Sequence, residues 1–363
     1  MKKYIFLIIS LIFHKNYTEQ FIYPIAGFDD KNQIMVLYQK SVDDIELWIW
    51  NTHNHTAIKG LSSFLIPANL RMLPSGKGFS FIDQGYIKIK EFAKRSPRTL
   101  PIYEPIGLFS NMNWIDDETF YFVAQQGDHF QIFEGNVQAD IKQLTHELAD
   151  ALYPQKIGSQ LFYMQRGINH QVSIMSRPWN FENNESMNTI VMQALAQQSC
   201  FLKMINESEG FYIQSPTHKS DTIQDSYEFS CYHIFQQNDA AWVSDKIFTF
   251  KIPSKYIIGS DRLYESIEPF LPNYTQSGYV YYNNWQHELE QFQLYVFNIA
   301  TKNIEIITNE QMYKNKKEIS FFSPYLYQEK IYCGIILEEN QTNRNVFEDG
   351  DVHFELPSFS TKR

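Results

Sequence analysis

Asn111-Met112-Asn113-Trp114-Ile115, Asp116-Asp117-Glu118, Thr119-Phe120-Tyr121-Phe122-Val123-Ala124 is the stretch that decides the fold. A tryptophan-bearing approach runs into a polar turn, and the turn into an apolar, aromatic strand. A second turn, Gln126-Gly127-Asp128, leads to Phe130-Gln131-Ile132-Phe133, and the unit ends at Ile141-Lys142-Gln143-Leu144-Thr145. Each polar cluster is turn chemistry between two runs of period two.

The unit recurs. With its second strand as marker, similar runs begin at Ile34, Phe79, Phe120, Leu161, Phe211, Val280 and Ile331, at spacings of 45, 41, 41, 50, 69 and 51 residues. Third strands follow at Glu46–Trp50, Tyr86–Lys90, Gln171–Met175, Glu228–Tyr232 and Gln293–Phe297. Repeats of roughly 40 to 50 residues with four strands each are the signature of propeller blades. The sequence therefore predicts an all-β chain forming a single β-propeller of about seven four-stranded blades, with six or eight as the alternatives. The 69-residue interval carries an outer strand at Lys246–Pro253 and an extension through Tyr256 to Tyr264.

Composition agrees with strands. The 363 residues include 23 Tyr, 29 Phe and 6 Trp, and aromatic wealth favours pleated, half-buried surfaces. Helical periodicity is confined to short pieces such as Met187–Gln198. The net charge of −10, without a basic block, argues against a nucleic-acid partner, because the average field repels phosphate. Cys200, Cys231 and Cys333 are few, odd in number and far apart, which fits buried thiols better than a disulfide framework or a metal site.

Met1-Lys2-Lys3 followed by Tyr4–Phe13 reads as the basic and apolar regions of a secretory signal, which assigns residues 1–19 to a signal peptide and 20–363 to the propeller. No Ala-x-Ala site follows. The alternative is that Tyr4–Phe13 is an apolar strand of a cytoplasmic protein. Gln20–Gly27 is either the strand that closes the ring or the first strand of the first blade, and in the latter case Tyr4–Phe13 becomes the candidate closing strand. No other stretch is apolar enough to span a bilayer.

Trp114–Phe122 and Leu73-Pro74-Ser75-Gly76-Lys77-Gly78-Phe79-Ser80-Phe81 resemble the PD40, or WD40-like, repeat of TolB-type propellers, whose pattern is roughly W-S-P-D-G-x-x-I-x-F with R-L-T at its close. Gln143-Leu144-Thr145 matches that ending, while Ser-Pro-Asp-Gly is nowhere intact. The resemblance implies a periplasmic or secreted, non-catalytic, monomeric module that binds an envelope protein through loops at one end of the ring or the channel mouth. The same repeat decorates peptidases of the prolyl-oligopeptidase and tricorn types, but this chain carries no hydrolase domain. The runner-up is an enzyme acting on a glycan or peptide through acids in the central channel.

No Gly-x-Ser-x-Gly elbow is present. Gly76-Lys77-Gly78 lacks the rest of a phosphate loop and reads as a hairpin turn. His146-Glu147 and His287-Glu288 lack the second histidine of a zinc helix, and His53-Asn54-His55 reads as an exposed turn rather than a pair of ligands. Asp43-Asp44, Asp116-Asp117 and Glu338-Glu339 are carboxylate pairs in turns or strand ends, where solvation accounts for them. Trp48, Trp50, Tyr281, Tyr282 and Trp285 could form a stacking surface, with core packing the simpler role. The six Asn-x-Ser/Thr sequons, Asn273-Tyr274-Thr275 among them, carry little weight in so Asn-rich a chain. No catalytic residue, metal ligand or cofactor is assigned.

Overall fold

The computed structural model describes residues 20–28, 33–39, 45–54, 56–63, 68–83, 86–101, 112–167, 171–179, 188–195, 199–215, 226–237, 241–254, 270–274, 278–289, 291–307, 320–327, 330–337, 352–353 and 358–360. The chain divides into two units, one of residues 1–66 with 308–362, the other Pro67–Ile307. Among the described residues no helix is long and apolar enough to cross a membrane.

The second unit is a series of five four-stranded antiparallel sheets in sequence order, which are propeller blades. Blade one is Ala68–Met72, Gly78–Asp83, Tyr86–Glu91 and Arg98–Thr99; blade two is Asn113–Trp114, Thr119–Gln126, His129–Asn136 and Ile141–Gln143. Blade three is Asp150–Ile157, Gln160–Arg166, Val172–Pro178 and Thr189–Leu195. Blade four is Ser199–Asn206, Glu209–Gln214, Ser226–Gln237 and Ala241–Pro253; blade five is Asn273–Tyr274, Tyr279–Gln286, Gln291–Asn298 and Ile304–Ile307.

The first unit holds one eight-stranded sheet, in which Gln20–Phe28 pairs with Gln33–Gln39 on one edge and with Lys330–Leu337 on the other. Among the described residues this corrects the expected seven blades to five. The runs at Ile34 and Ile331 are strands as predicted, but they belong to the same sheet, joined through Gln20–Phe28. That strand is thus both the first of its own repeat and the link to the C-terminal strands. Tyr4–Phe13 lies outside the described residues. The helical pattern at Met187–Gln198 is also corrected: Thr189–Leu195 is the outer strand of blade three, paired irregularly with Val172–Pro178.

Packing explains why the second strands are so apolar. In blade two, Phe120, Phe122 and Ala124 point toward blade one, meeting Leu73, Ile87, Ile89 and Leu100. The alternate residues Tyr121 and Val123 meet Ala151, Leu161 and Tyr163 of blade three. A strand alternates its side chains between two faces, and here both faces are covered by a neighbouring sheet, so all five residues are buried. Leu161–Met164 and Gly210–Ile213 repeat the pattern. Toward blade five, Phe211 stacks on Tyr274 with ring centroids 3.9 Å apart, and Phe248 on Tyr282 at 3.8 Å.

The Gln143-Leu144-Thr145 ending also has a structural role. Leu144 enters the core of blades two and three. Thr145, fully buried, accepts a hydrogen bond on its Oγ1 from the amide of Ile132 at 2.8 Å. A sheet that runs out of strand thus finds a side-chain acceptor for its last donor.

Truncating Phe122 to Ala should cost about 3–5 kcal/mol, whereas Ile141→Ala, on the outer strand of the same blade and 42% exposed, should cost about 0.5 kcal/mol or less. Urea denaturation of both variants measures the contrast, and equal losses would contradict the two-faced packing.

Candidate functional site

The aromatic residues considered above as a stacking surface are structural. Trp50 and Tyr281 are each 1% exposed and Tyr282 2%. Trp48 is buried with its indole donating to Glu46 Oε2 at 2.9 Å. Trp285 is half-buried and packs edge-on against Phe292.

The acidic pair Asp116-Asp117 serves the backbone. Asp116 Oδ1 accepts from the amides of Glu118 and Thr119, shaping the turn, and Asp117 Oδ1 accepts from the amide of Ser75 in blade one at 2.9 Å. Blades three and four repeat this latch, with Glu207 Oε1 accepting from the Ser159 amide at 3.1 Å. Gly76 turns with φ 67°, its amide donating to the Leu73 carbonyl, so Gly76-Lys77-Gly78 is a hairpin turn. Asp43-Asp44, Glu338-Glu339, His55 and Thr275 lie outside the described residues.

His53 is exposed in a turn closed by Asn51, and His287 and Glu288 lie on a short 3-10 turn. Among the described residues no three His, Cys, Asp or Glu side chains come together as a metal site. Cys231 and Cys333 are buried free thiols, and burial pushes the Cys231 thiol up to about 12. A thiol so protonated is a poor nucleophile.

The connection from blade two to blade three, Leu144–Ala149, is the feature that stands apart. Gln131, 2% exposed, holds it from one side: its Nε2 donates to the carbonyls of Glu147 and Ala149, and its Oε1 accepts from the Glu147 amide. The Glu147 carboxylate holds it from the other, accepting from the Tyr163 hydroxyl at 3.1 Å, Gln165 Nε2 at 3.0 Å and Asn188 Nδ2 at 2.6 Å. Burial and the adjacent Glu147 charge keep Tyr163 protonated, its pKa far above the ordinary tyrosine value. On this fixed backbone His146 is exposed, and Leu148 is 85% exposed. Fixing an apolar side chain in water stabilises nothing in the monomer, so the arrangement presents Leu148 outward. In the sequence, His146-Glu147 draws notice only as a fragment of a metal motif. In the fold Glu147 is an anchor for its neighbour Leu148, a role that no local pattern marks.

Between blades four and five, His233 is also unforeseen. Its Nε2 lies 2.9 Å from Glu209 Oε1. A carboxylate only accepts, so the neutral ring carries its proton on Nε2 and leaves Nδ1 as a buried acceptor without a partner. Phe211 and Phe235 stack against the ring at 4.9 and 5.0 Å. Burial lowers the imidazole pKa, Lys302 adds to this, and Glu209 and Asp245 oppose it.

The sign of the pH effect follows. The unfolded histidine takes up a proton near pH ~6.5 while the folded one does not, so His233 favours unfolding as pH falls through that value toward the lower folded pKa. Between pH 7 and 5 the melting temperature of His233→Gln should fall less than that of the wild-type chain; parallel melting curves would refute the assignment.

No family model matches the chain, and no curated protein does. Among solved structures it is similar to TolB from Acinetobacter baumannii, at 9% identity over 80% of this chain and 64% of that one, with a TM-score of 0.43. It is similar to the putative TolB from Agrobacterium tumefaciens, at 11% identity, 72% and 88% coverage and a TM-score of 0.46. The N-terminal domain of Nup159 is similar at 8% identity, 86% and 88% coverage and a TM-score of 0.50. The chain spans less than two thirds of the Acinetobacter protein. At these identities the likeness is one of fold.

Proposed function

We propose that this chain is a non-catalytic binding module of the bacterial cell envelope, a TolB-like propeller that docks a protein partner through the blade two to blade three connection. The observation that carries the reading is Leu148, 85% exposed on a backbone held by Gln131 and Glu147. An apolar side chain already fixed on a rigid backbone spares a partner the cost of ordering the loop when it is covered. The repeat motif at Trp114–Phe122 supports the TolB-like assignment. The described acidic pair, Asp116-Asp117, is engaged in turn and latch bonds rather than converging on a substrate. Residues 1–19 act as a signal peptide that delivers the module to the periplasm or beyond, where it works as a monomer.

Three measurements test this. The mature N-terminus, read after expression in a Gram-negative host, should lie between Phe13 and Gln20 with the protein recovered from the periplasm; an intact Met1 in the cytosol would overturn the envelope placement. A photo-crosslinking residue at position 148 should capture a discrete envelope protein from the source organism. Leu148→Asp should weaken binding of that purified partner at least tenfold with an unchanged melting temperature, and undiminished binding would remove Leu148 from the interface.

A further inference from the structure

Arg177 lies on the third strand of blade three, opposite Leu161 in the ladder, with the buried Met175 two residues before it and the buried Trp179 two after. Alternation puts Arg177 and Met175 on one face of the sheet, and Tyr163, paired with Met175, shares that face. On the other side of the strand, Ser176 pairs with Thr189, so Asn188 falls opposite Arg177. Two hydrogen bonds agree with this placement: Asn188 Nδ2 and the Tyr163 hydroxyl both donate to Glu147 Oε1, at 2.6 and 3.1 Å. Arg177 therefore stands on the face of blade three that carries the cluster around Glu147.

Its guanidinium has nothing to bond. Arg177 is 9% exposed, yet among the described residues it makes no hydrogen bond and no ion pair. The Glu147 oxygens are taken by Tyr163, Gln165 and Asn188 instead. A guanidinium keeps its proton at any ordinary pH, and a buried charge without a partner is strongly unfavourable. Arg166 Nε, also without a partner, is sealed from solvent, whereas the nitrogens of Arg177 are not sealed. The charge thus sits below the surface with a narrow opening to it. It is directed into the polar cluster rather than away from it: burial and Glu147 hold the proton on the Tyr163 hydroxyl, and the Arg177 charge opposes them.

We propose that Arg177 is the binding residue of a site on the face of blade three that takes the carboxylate group of a small soluble ligand. The planar fork of a guanidinium matches the two oxygens of a carboxylate in paired, charge-assisted hydrogen bonds. In a site so little open to water these bonds replace the missing partner of a buried charge. The neighbouring Glu147 selects among anions. A carboxylate brings one negative charge toward it, while phosphate at neutral pH brings more and is repelled more strongly. The site is separate from the surface presented by Leu148 and does not rest on it.

The test is a titration of the full chain, isotope-labelled at its arginine nitrogens, with acetate at an ionic strength held constant with chloride. One Nε–H resonance, absent from the spectrum of Arg177→Lys, should shift saturably, and inorganic phosphate at the same concentrations should shift it less. Arg177→Lys, which keeps the charge without the fork, should bind acetate at least tenfold more weakly. Arg177→Met removes an unpaired buried charge, so without acetate it should melt no lower than the wild-type chain, and acetate should no longer raise its melting temperature. Leu148→Asp should bind acetate as the wild-type chain does. An Arg177 resonance that acetate leaves in place, acetate binding undiminished in folded Arg177→Lys, or tighter binding of phosphate would overturn the proposal. So would a melting temperature of Arg177→Met well below that of the wild-type chain, which would mark Arg177 as structural.

Discussion

Each middle blade depends on burial of its second strand on both faces at once. In an open sheet one face meets water and the strand alternates apolar with polar residues. Between two other sheets, neither face does, and Phe120-Tyr121-Phe122-Val123-Ala124 can be apolar throughout. A fully buried Phe contributes about 1.5–3 kcal/mol by transfer from water, so a run of such positions in each blade outweighs any single polar contact in the molecule. The requirement also fixes register, because a slip of one residue would send Phe122 to the blade three side, where Tyr121 and Val123 now fit.

With the faces so engaged, much of the polar chemistry falls at the ends of the sheets. At the turns joining first to second strands, Asp117 and Glu207 reach the preceding blade and bond its backbone amides. At the opposite end, Gln131 and Glu147 fix the connection between blades two and three from both sides. Buried polar groups so satisfied specify one arrangement of neighbouring blades, which apolar packing alone leaves less defined. Leu148 departs from this economy: it is apolar and faces water.

The second and third strands are legible in the sequence because two-sided burial writes itself as uninterrupted aromatic runs. Phe79, Phe120, Leu161, Phe211 and Val280 each fall in the second strand of a blade. The blade number is not legible, since the pairing of Gln20–Phe28 with Lys330–Leu337 joins residues about 300 positions apart and leaves no local mark. Thr189–Leu195 misleads because an outer strand with exposed residues and an irregular register has no clean period of two. The site residues are harder still. Glu147 draws notice for its neighbour His146, but its role depends on Tyr163, Gln165 and Asn188, which only folding brings to it.

Two-sided burial is tested most directly by amide hydrogen exchange followed residue by residue. Amides of Phe120–Ala124, Leu161–Met164 and Gly210–Ile213 should be the slowest in the second unit, opening only with global unfolding, while those of Ile141–Gln143 and Ile304–Ile307 exchange by local fraying. Second strands that exchange as fast as the outer strands would contradict the account.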